Sequence, residues 1–157
     1  MPLPPLPSWP TPYIGTPFRE LGRDDSGCDC WGLLRLVLRR EKGIEVPVYG
    51  GIGYEAACDR EELKRFMRGQ IVEHWAPVWE RQQDTPRDAL PTGEQAFDGI
   101  WLRPHGMRQP VHVGLVVVPG VMLHIEHGCD AVVEDYYDQL RWRHRVVGIY
   151  RHASLAG

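Results

Sequence analysis

Ser26-Gly27-Cys28-Asp29-Cys30-Trp31-Gly32-Leu33-Leu34 is the stretch on which the fold of this 157-residue chain turns. It is a loop that ends in a cysteine and opens a helix. From Trp31 onward the apolar positions Trp31, Leu34, Val37 and Leu38 recur at helical spacing. Asp29 has the chemistry of an N-cap, and Gly43 after Lys42 that of a stop. Cys30 then falls in the first turn, where unpaired backbone N–H groups and the helix dipole favour an anion. A thiol placed there is expected to have a lowered pKa and to be partly thiolate near neutral pH. The same N–H groups could hold the oxyanion of an attacked carbonyl. The plainer alternative is a buried structural cysteine, since free Cys is among the most buried residue types.

Downstream, Val111-His112-Val113-Gly114-Leu115 and Met122-Leu123-His124-Ile125 supply two histidines on expected strands. A cysteine at a helix start with histidines on later strands is what a cysteine hydrolase needs, because imidazole takes and returns protons near neutral pH. His112, flanked by valines, could equally be a satisfied core histidine. His127 and Glu126 stand close to His124 as alternatives. Cys28 is the rival nucleophile, but it precedes the N-cap and misses the dipole.

The two histidines must leave the sheet from one face to cooperate. A regular two-residue hairpin at Pro119-Gly120 would instead pair His112 with His127 and turn His124 away. L-Pro-Gly also suits the primed turns of such hairpins poorly. A loop of odd length, or a bulge, is therefore expected between the strands.

Asp29-Cys30-Trp31-Gly32-Leu33, Asp98-Gly99-Ile100, His112-Val113-Gly114-Leu115 and Leu123-His124, in that order, resemble the NlpC/P60 cysteine peptidases. The resemblance covers about residues 13–151. It implies an α+β domain with a papain-like core, in which N-terminal helices pack on an antiparallel β meander. It also implies a Cys30–His112–His124 triad, a substrate cleft drawing on Asp29, Trp31, Phe18 and Tyr13, and no cofactor or metal. Many members cleave the γ-D-glutamyl-diaminopimelate bond of peptidoglycan stem peptides, so such a peptide is the implied substrate. The family often has a tyrosine where this chain has Phe18, so Tyr13 is the hydroxyl left to serve an oxyanion. Trp31 after the nucleophile, the long insert before His112 and the ending Val147-Gly148-Ile149-Tyr150-Arg151 look like the branch attached to phage tails and gene transfer agents. Tail-tip or hub proteins are then the expected partners. The alternative in that setting is a catalytically silent tail-tip or adaptor protein.

Composition agrees with one soluble domain: 43% hydrophobic, 25% charged, net charge -3. That charge carries no global nucleic-acid footprint, and the basic residues Arg35, Arg39, Arg40 and Lys42 read as a solvated helix face. No run approaches the roughly 20 apolar residues of a membrane span. The N-terminus lacks the basic and apolar regions of a secretory signal. The expected localisation is therefore synthesis in the cytoplasm, followed by delivery to the periplasmic wall on a phage or gene-transfer-agent tail. Cys28, Cys30, Cys58 and Cys129 make no persuasive disulfide framework and read as reduced thiols. A zinc site from Cys28, Cys30, His124, His127 and Cys129 matches no common spacing.

Seven of the 14 prolines lie in residues 1–17, so residues 1–12 are expected as a proline-rich arm and residues 13–157 as the domain. A second helix is expected from the capping-box spacing at Asp59-Arg60-Glu61-Glu62, with Leu63, Phe66 and Met67 on its apolar face and Gly69 at its end. Ile71 to Trp79 is ambiguous between strand and irregular chain, and residues 82–96 read as an exposed loop. Strands are expected over Ile100 to Arg103, Val111 to Val118, Val121 to Glu126, Ala131 to Glu134 and Val146 to Arg151, with a brief helix at Tyr136 to Trp142. Helices followed by a meander indicate an α+β domain. His74, His105, His144 and His152 read as surface residues.

Overall fold

A computed structural model describes residues 5–20, 22–47, 68–69, 73–106, 110–138 and 140–155. The deciding stretch folds as its residues dictate. Asp29 caps helix α1 (Cys30–Lys42), its carboxylate accepting the Gly32 N–H at 2.7 Å. Gly43 ends the helix in the left-handed conformation, φ 66°, and its N–H reaches back to Arg39 and Leu38 carbonyls. Before α1, strands β1 (Arg23–Asp24) and β2 (Gly27–Cys28) form a small hairpin. The expected helix around residues 59–69 lies largely outside the described residues, as does Cys58; Arg68 and Gly69 are helical.

Six strands follow: β3 (Trp75–Glu80), β4 (Gly99–Leu102), β5 (His112–Val118), β6 (Val121–His124), β7 (Val132–Asp135) and β8 (Val146–His152). They form one antiparallel sheet in the order β3-β8-β4-β5-β6-β7. Pro77, which cannot donate to a ladder, is tolerated in β3 because that strand is an edge and its register shifts there. Tyr136 to Trp142 is turn and irregular chain among its described residues, not helix; a short 3₁₀ turn follows at Arg143–Arg145.

Both faces of the central strands are covered, which is why Val111 to Val118 reads as a nearly continuous apolar run instead of alternating. Val113, Leu115, Val117 and Leu123 pack with Leu33, Leu34, Val37 and Leu38 of α1. Val116 and Met122 face the other way, toward Ile100, Leu102, Tyr136, Trp142, Val146 and Ile149. This is the α+β, papain-like architecture expected from the sequence.

The β5–β6 connection settles the register. Val118 pairs with Val121 across Pro119-Gly120, but Val116 pairs with Met122 and Leu115 with Leu123, so Val117 is an extra residue in a bulge. Gly120 takes φ 92° in the turn, with the Tyr137 ring where a Cβ would sit. One bulged residue shifts the pairing by one and brings His112 and His124 to the same face.

The proline-rich arm packs on the domain where it is described. Trp9 stacks on Phe97 with ring centroids 4.4 Å apart, and just past the arm Gly15 and Thr16 exchange backbone hydrogen bonds with Ala131. His152 departs from its expected surface position: it is buried against the edge of Trp75, and its Nδ1 accepts the Ser154 N–H.

Trp31 is also corrected. It is wholly buried in the core beside Trp101, with its indole N–H donated to the Pro47 carbonyl at 2.8 Å, so it fills the interior and does not line a cleft. Trp31→Ala should therefore cost roughly 3–5 kcal/mol in a denaturant melt, and Trp31→Phe much less. A cleft residue would instead leave the melt unchanged and alter substrate affinity.

Candidate active site

Cys30 stands at the N-terminus of α1, against the start of β5. Its sulfur lies 3.9 Å from the carbonyl oxygen of Val111, the residue before His112. It is only 2% exposed. On the strand face that the bulge sets, His112 Nε2 and His124 Nδ1 are 2.9 Å apart. His124 Nε2 is in turn 2.7 Å from Glu134 Oε2, on the neighbouring strand β7. Gly114 makes this closeness possible, because it lies opposite His124 and a Cβ there would come within 3.1 Å of the His124 Cβ. Trp142 roofs both rings, stacked on His112 (5.9 Å, 22°) and edge-on to His124 (5.2 Å, 87°).

Sequence reasoning missed Glu134, Arg141 and Trp142. Arg141 binds Glu134 through Nε and Glu126 through a terminal nitrogen at 2.7 Å. Burial alone would raise the Glu134 carboxyl, but the hydrogen bond to His124 leads the effects that overcome it, with the Arg141 charge a smaller contribution, and the pKa comes down to about 2. His112 is held well below its ordinary 6.5 by burial and by the neighbouring His124, with Glu134 pulling weakly the other way.

The thiol behaves differently from the expectation. Burial, followed by the Asp29 carboxylate, pushes Cys30 up to about 12, against opposing backbone N–H groups of Val113, Trp31 and Cys30 itself. The resting pair is a neutral thiol and a neutral imidazole, not thiolate and imidazolium.

The other expected site residues are distributed as follows. Asp29 is buried as the helix cap, where its carboxylate accepts the Gly32 N–H and its charge acts on Cys30. Tyr13 is buried with Glu41 at its hydroxyl. Glu41 lies eleven residues along α1 from Cys30, roughly 16 Å at the helical rise, so Tyr13 cannot serve an oxyanion at Cys30. Phe18 packs edge-on against His127 at 4.9 Å and bridges to Cys28 in backbone pairing. Residue His127 is exposed, and it is His124 that meets His112. Cys28 is buried with its thiol donated to the Asp24 carbonyl at 2.9 Å.

The five residues of the zinc alternative are not gathered. Among the described residues, the group of metal-binding type is His124, Glu126 and Glu134, and Arg141 already supplies the cation between its two carboxylates.

The NlpC/P60 family model matches residues 15–151. The chain belongs to the NlpC/P60 family. Among solved structures it is similar to a lipoprotein-like protein of the NLP/P60 family from Staphylococcus aureus, with a TM-score of 0.57 and 18% identity over 92% of this chain. The chain spans 39% of the length of that structure. It is also similar to the NlpC/p60 domain of the peptidoglycan hydrolase SagA, with a TM-score of 0.47 and 19% identity over 82% of this chain and 84% of that one. No curated protein matches the sequence. At 18% identity the likeness to the Staphylococcus aureus structure extends to the fold alone, and the chemistry must be argued from the site itself.

Two outcomes follow from the electrostatics. At neutral pH, iodoacetamide should label the exposed Cys129 well ahead of the buried Cys30, read by peptide mass spectrometry. Separately, acid should destabilise the fold in a melt. His112 disfavours its proton in the folded state, so stability falls as pH drops below 6.5, and the Glu134 contribution is lost between 4.5 and about 2.

Proposed function

We propose that this chain is a cysteine peptidase of the bacterial cell wall, hydrolysing peptidoglycan stem peptides with Cys30, His112 and His124. The observation that carries the reading is the buried imidazole pair on two family-motif positions, beside a cysteine at a helix N-terminus. The γ-D-glutamyl-diaminopimelate bond is the scissile bond we favour, on the resemblance of the four motifs.

In this mechanism the Cys30 thiol gives its proton to His112 as the sulfur attacks the peptide carbonyl carbon. Backbone N–H groups at the start of α1 receive the oxyanion. The carbon–nitrogen bond breaks, and His112 returns the proton to the leaving amine. Water then hydrolyses the thioester to a carboxylic acid and restores the thiol. With a neutral thiol at rest, proton transfer accompanies attack, so the base must be unprotonated beforehand. Removal of the nucleophile or its base should cost nearly the whole rate, because such groups act as a unit.

We further propose that the peptidase rides on a phage or gene-transfer-agent tail with tail-tip or hub proteins as partners, and so reaches the periplasmic wall. The features in its favour are Trp31 and the Val147 to Arg151 ending. Proteomics of purified particles should find the chain, and its consistent absence would count against carriage.

The silent-adaptor reading is favoured by one observation, the raised and 2% exposed thiol. Incubation with defined muropeptides, followed by mass spectrometry, separates the two. The enzyme releases γ-D-glutamyl-terminated fragments, Cys30→Ala releases none while still folding, and Cys28→Ala keeps most activity. A dead Cys28→Ala with an active Cys30→Ala would sink the assignment.

A further inference from the structure

We propose that Glu134, held by Arg141, is a positioning residue that fixes which nitrogen of His112 carries the proton, and so leaves the other bare for the thiol. The inference deepens the proposed peptidase reading and rests on it for its kinetic consequences. Its structural core is a run of contacts across three strands: His112 on β5, His124 on β6 and Glu134 on β7.

An ionised carboxylate can only accept hydrogen bonds. Glu134 Oε2 lies 2.7 Å from His124 Nε2, so that nitrogen must carry the proton and donate it. A neutral imidazole has one N–H, so His124 Nδ1 is left with a lone pair. His112 Nε2, 2.9 Å away, must then be the donor in the second bond. The same rule leaves His112 Nδ1 bare, and Nδ1 is the ring nitrogen not already engaged. It is therefore the atom available to take the Cys30 proton.

Reversing the first proton reverses all the others. If His124 donated from Nδ1, His112 Nε2 would accept and Nδ1 would present an N–H to the thiol, unable to serve as a base. A carboxylic acid or amide in place of the carboxylate permits this wrong arrangement, since either can donate. The carboxylate must therefore stay ionised and aimed. Arg141 does both, binding Glu134 through Nε while its other arm holds Glu126 Oε1 at 2.7 Å. Among the described residues, the charged groups by the pair are Glu134, with Arg141 and Glu126 beyond it, on the outer side, and Asp29 beside Cys30 on the α1 side.

The test is Glu134→Gln, which keeps the side-chain length and removes the charge. On muropeptide substrate we expect kcat to fall by on the order of 100-fold, the scale at which a lost tautomer-setting partner is felt. KM should change little; the melting midpoint should fall somewhat, because the ionised carboxylate adds stability at neutral pH, so kcat is read well below it. The acidic limb of the kcat/KM profile should also move to lower pH, because Glu134 favours the protonated form of His112. Glu134→Asp, which retains the charge, should recover part of kcat. A purely structural Glu134 would instead lower activity only in step with the melt, leave the acidic limb in place and give no Asp recovery.

Imidazole ¹⁵N NMR on the wild-type protein judges the idea without turnover. It should show His124 protonated at Nε2, with His112 protonated at Nε2 and bare at Nδ1. A proton on His112 Nδ1 at neutral pH would overturn the proposal, as would full kcat in Glu134→Gln. Should the wild type cleave no muropeptide, the peptidase reading fails, and the NMR assignment still decides the proton pattern.

Discussion

Two imidazoles 2.9 Å apart on neighbouring strands must leave the sheet from the same face, and that constraint governs this molecule. Side chains alternate across a sheet with period two, so one residue of slippage would put His124 among the apolar side chains under α1. The tightest turn available at Pro119-Gly120 would produce that slippage. The extra residue at Val117 removes it, and the price is a single disrupted rung in the ladder. Gly114 completes the arrangement by giving up its side chain where the His124 Cβ must pass.

Burial, more than the helix dipole, sets the electrostatics of the cysteine. A dipole at a helix terminus contributes about 0.3–1 kcal/mol, up to ~2 kcal/mol when partly buried, and one pKa unit corresponds to ~1.4 kcal/mol. It can therefore move a thiol by about one unit. Full desolvation moves a group by up to 3–5 units. Cys30 is almost entirely buried, and the residue that caps its helix is an aspartate whose charge adds to the upward push. The cap that makes the helix start well defined also makes the thiolate less favourable there. Such a site is suited to removing the thiol proton during attack, with the base kept neutral by the same burial.

What was legible in the sequence was whatever local pattern specifies. Asp29, the 3.6-residue apolar spacing and Gly43 gave α1 within a residue, and the valine-rich runs gave β5, β6 and β8 with ends displaced by one or two positions. The histidine pair and even the need for a bulge followed from alternation. What failed was tertiary. Trp31 and Tyr13 look like site residues by their closeness in sequence to the motifs, yet the core claims one and the far end of α1 the other. Glu134 sits on an edge strand that reads as half-exposed, where an acid is unremarked. Arg141 and Trp142 lie in a segment that reads as a short helix and is turn and irregular chain. No local signal marks a side chain that acts only after the chain has crossed back over the sheet.

That crossing explains why the segment from Tyr136 to Arg145 matters beyond connecting β7 to β8. A buried imidazole pair beside an ionised carboxylate is costly unless the charge is compensated where water has been excluded. Trp142 excludes the water by covering both rings, and Arg141, the residue before it, supplies the compensating charge to Glu134. Desolvation and compensation therefore arrive together when one segment docks. A chain that placed the tryptophan without the arginine would bury an unpaired carboxylate, and one that placed the arginine without the tryptophan would leave the pair in water, where neither the low His112 pKa nor a fixed proton arrangement could be maintained. Adjacency in sequence makes the two conditions one structural event.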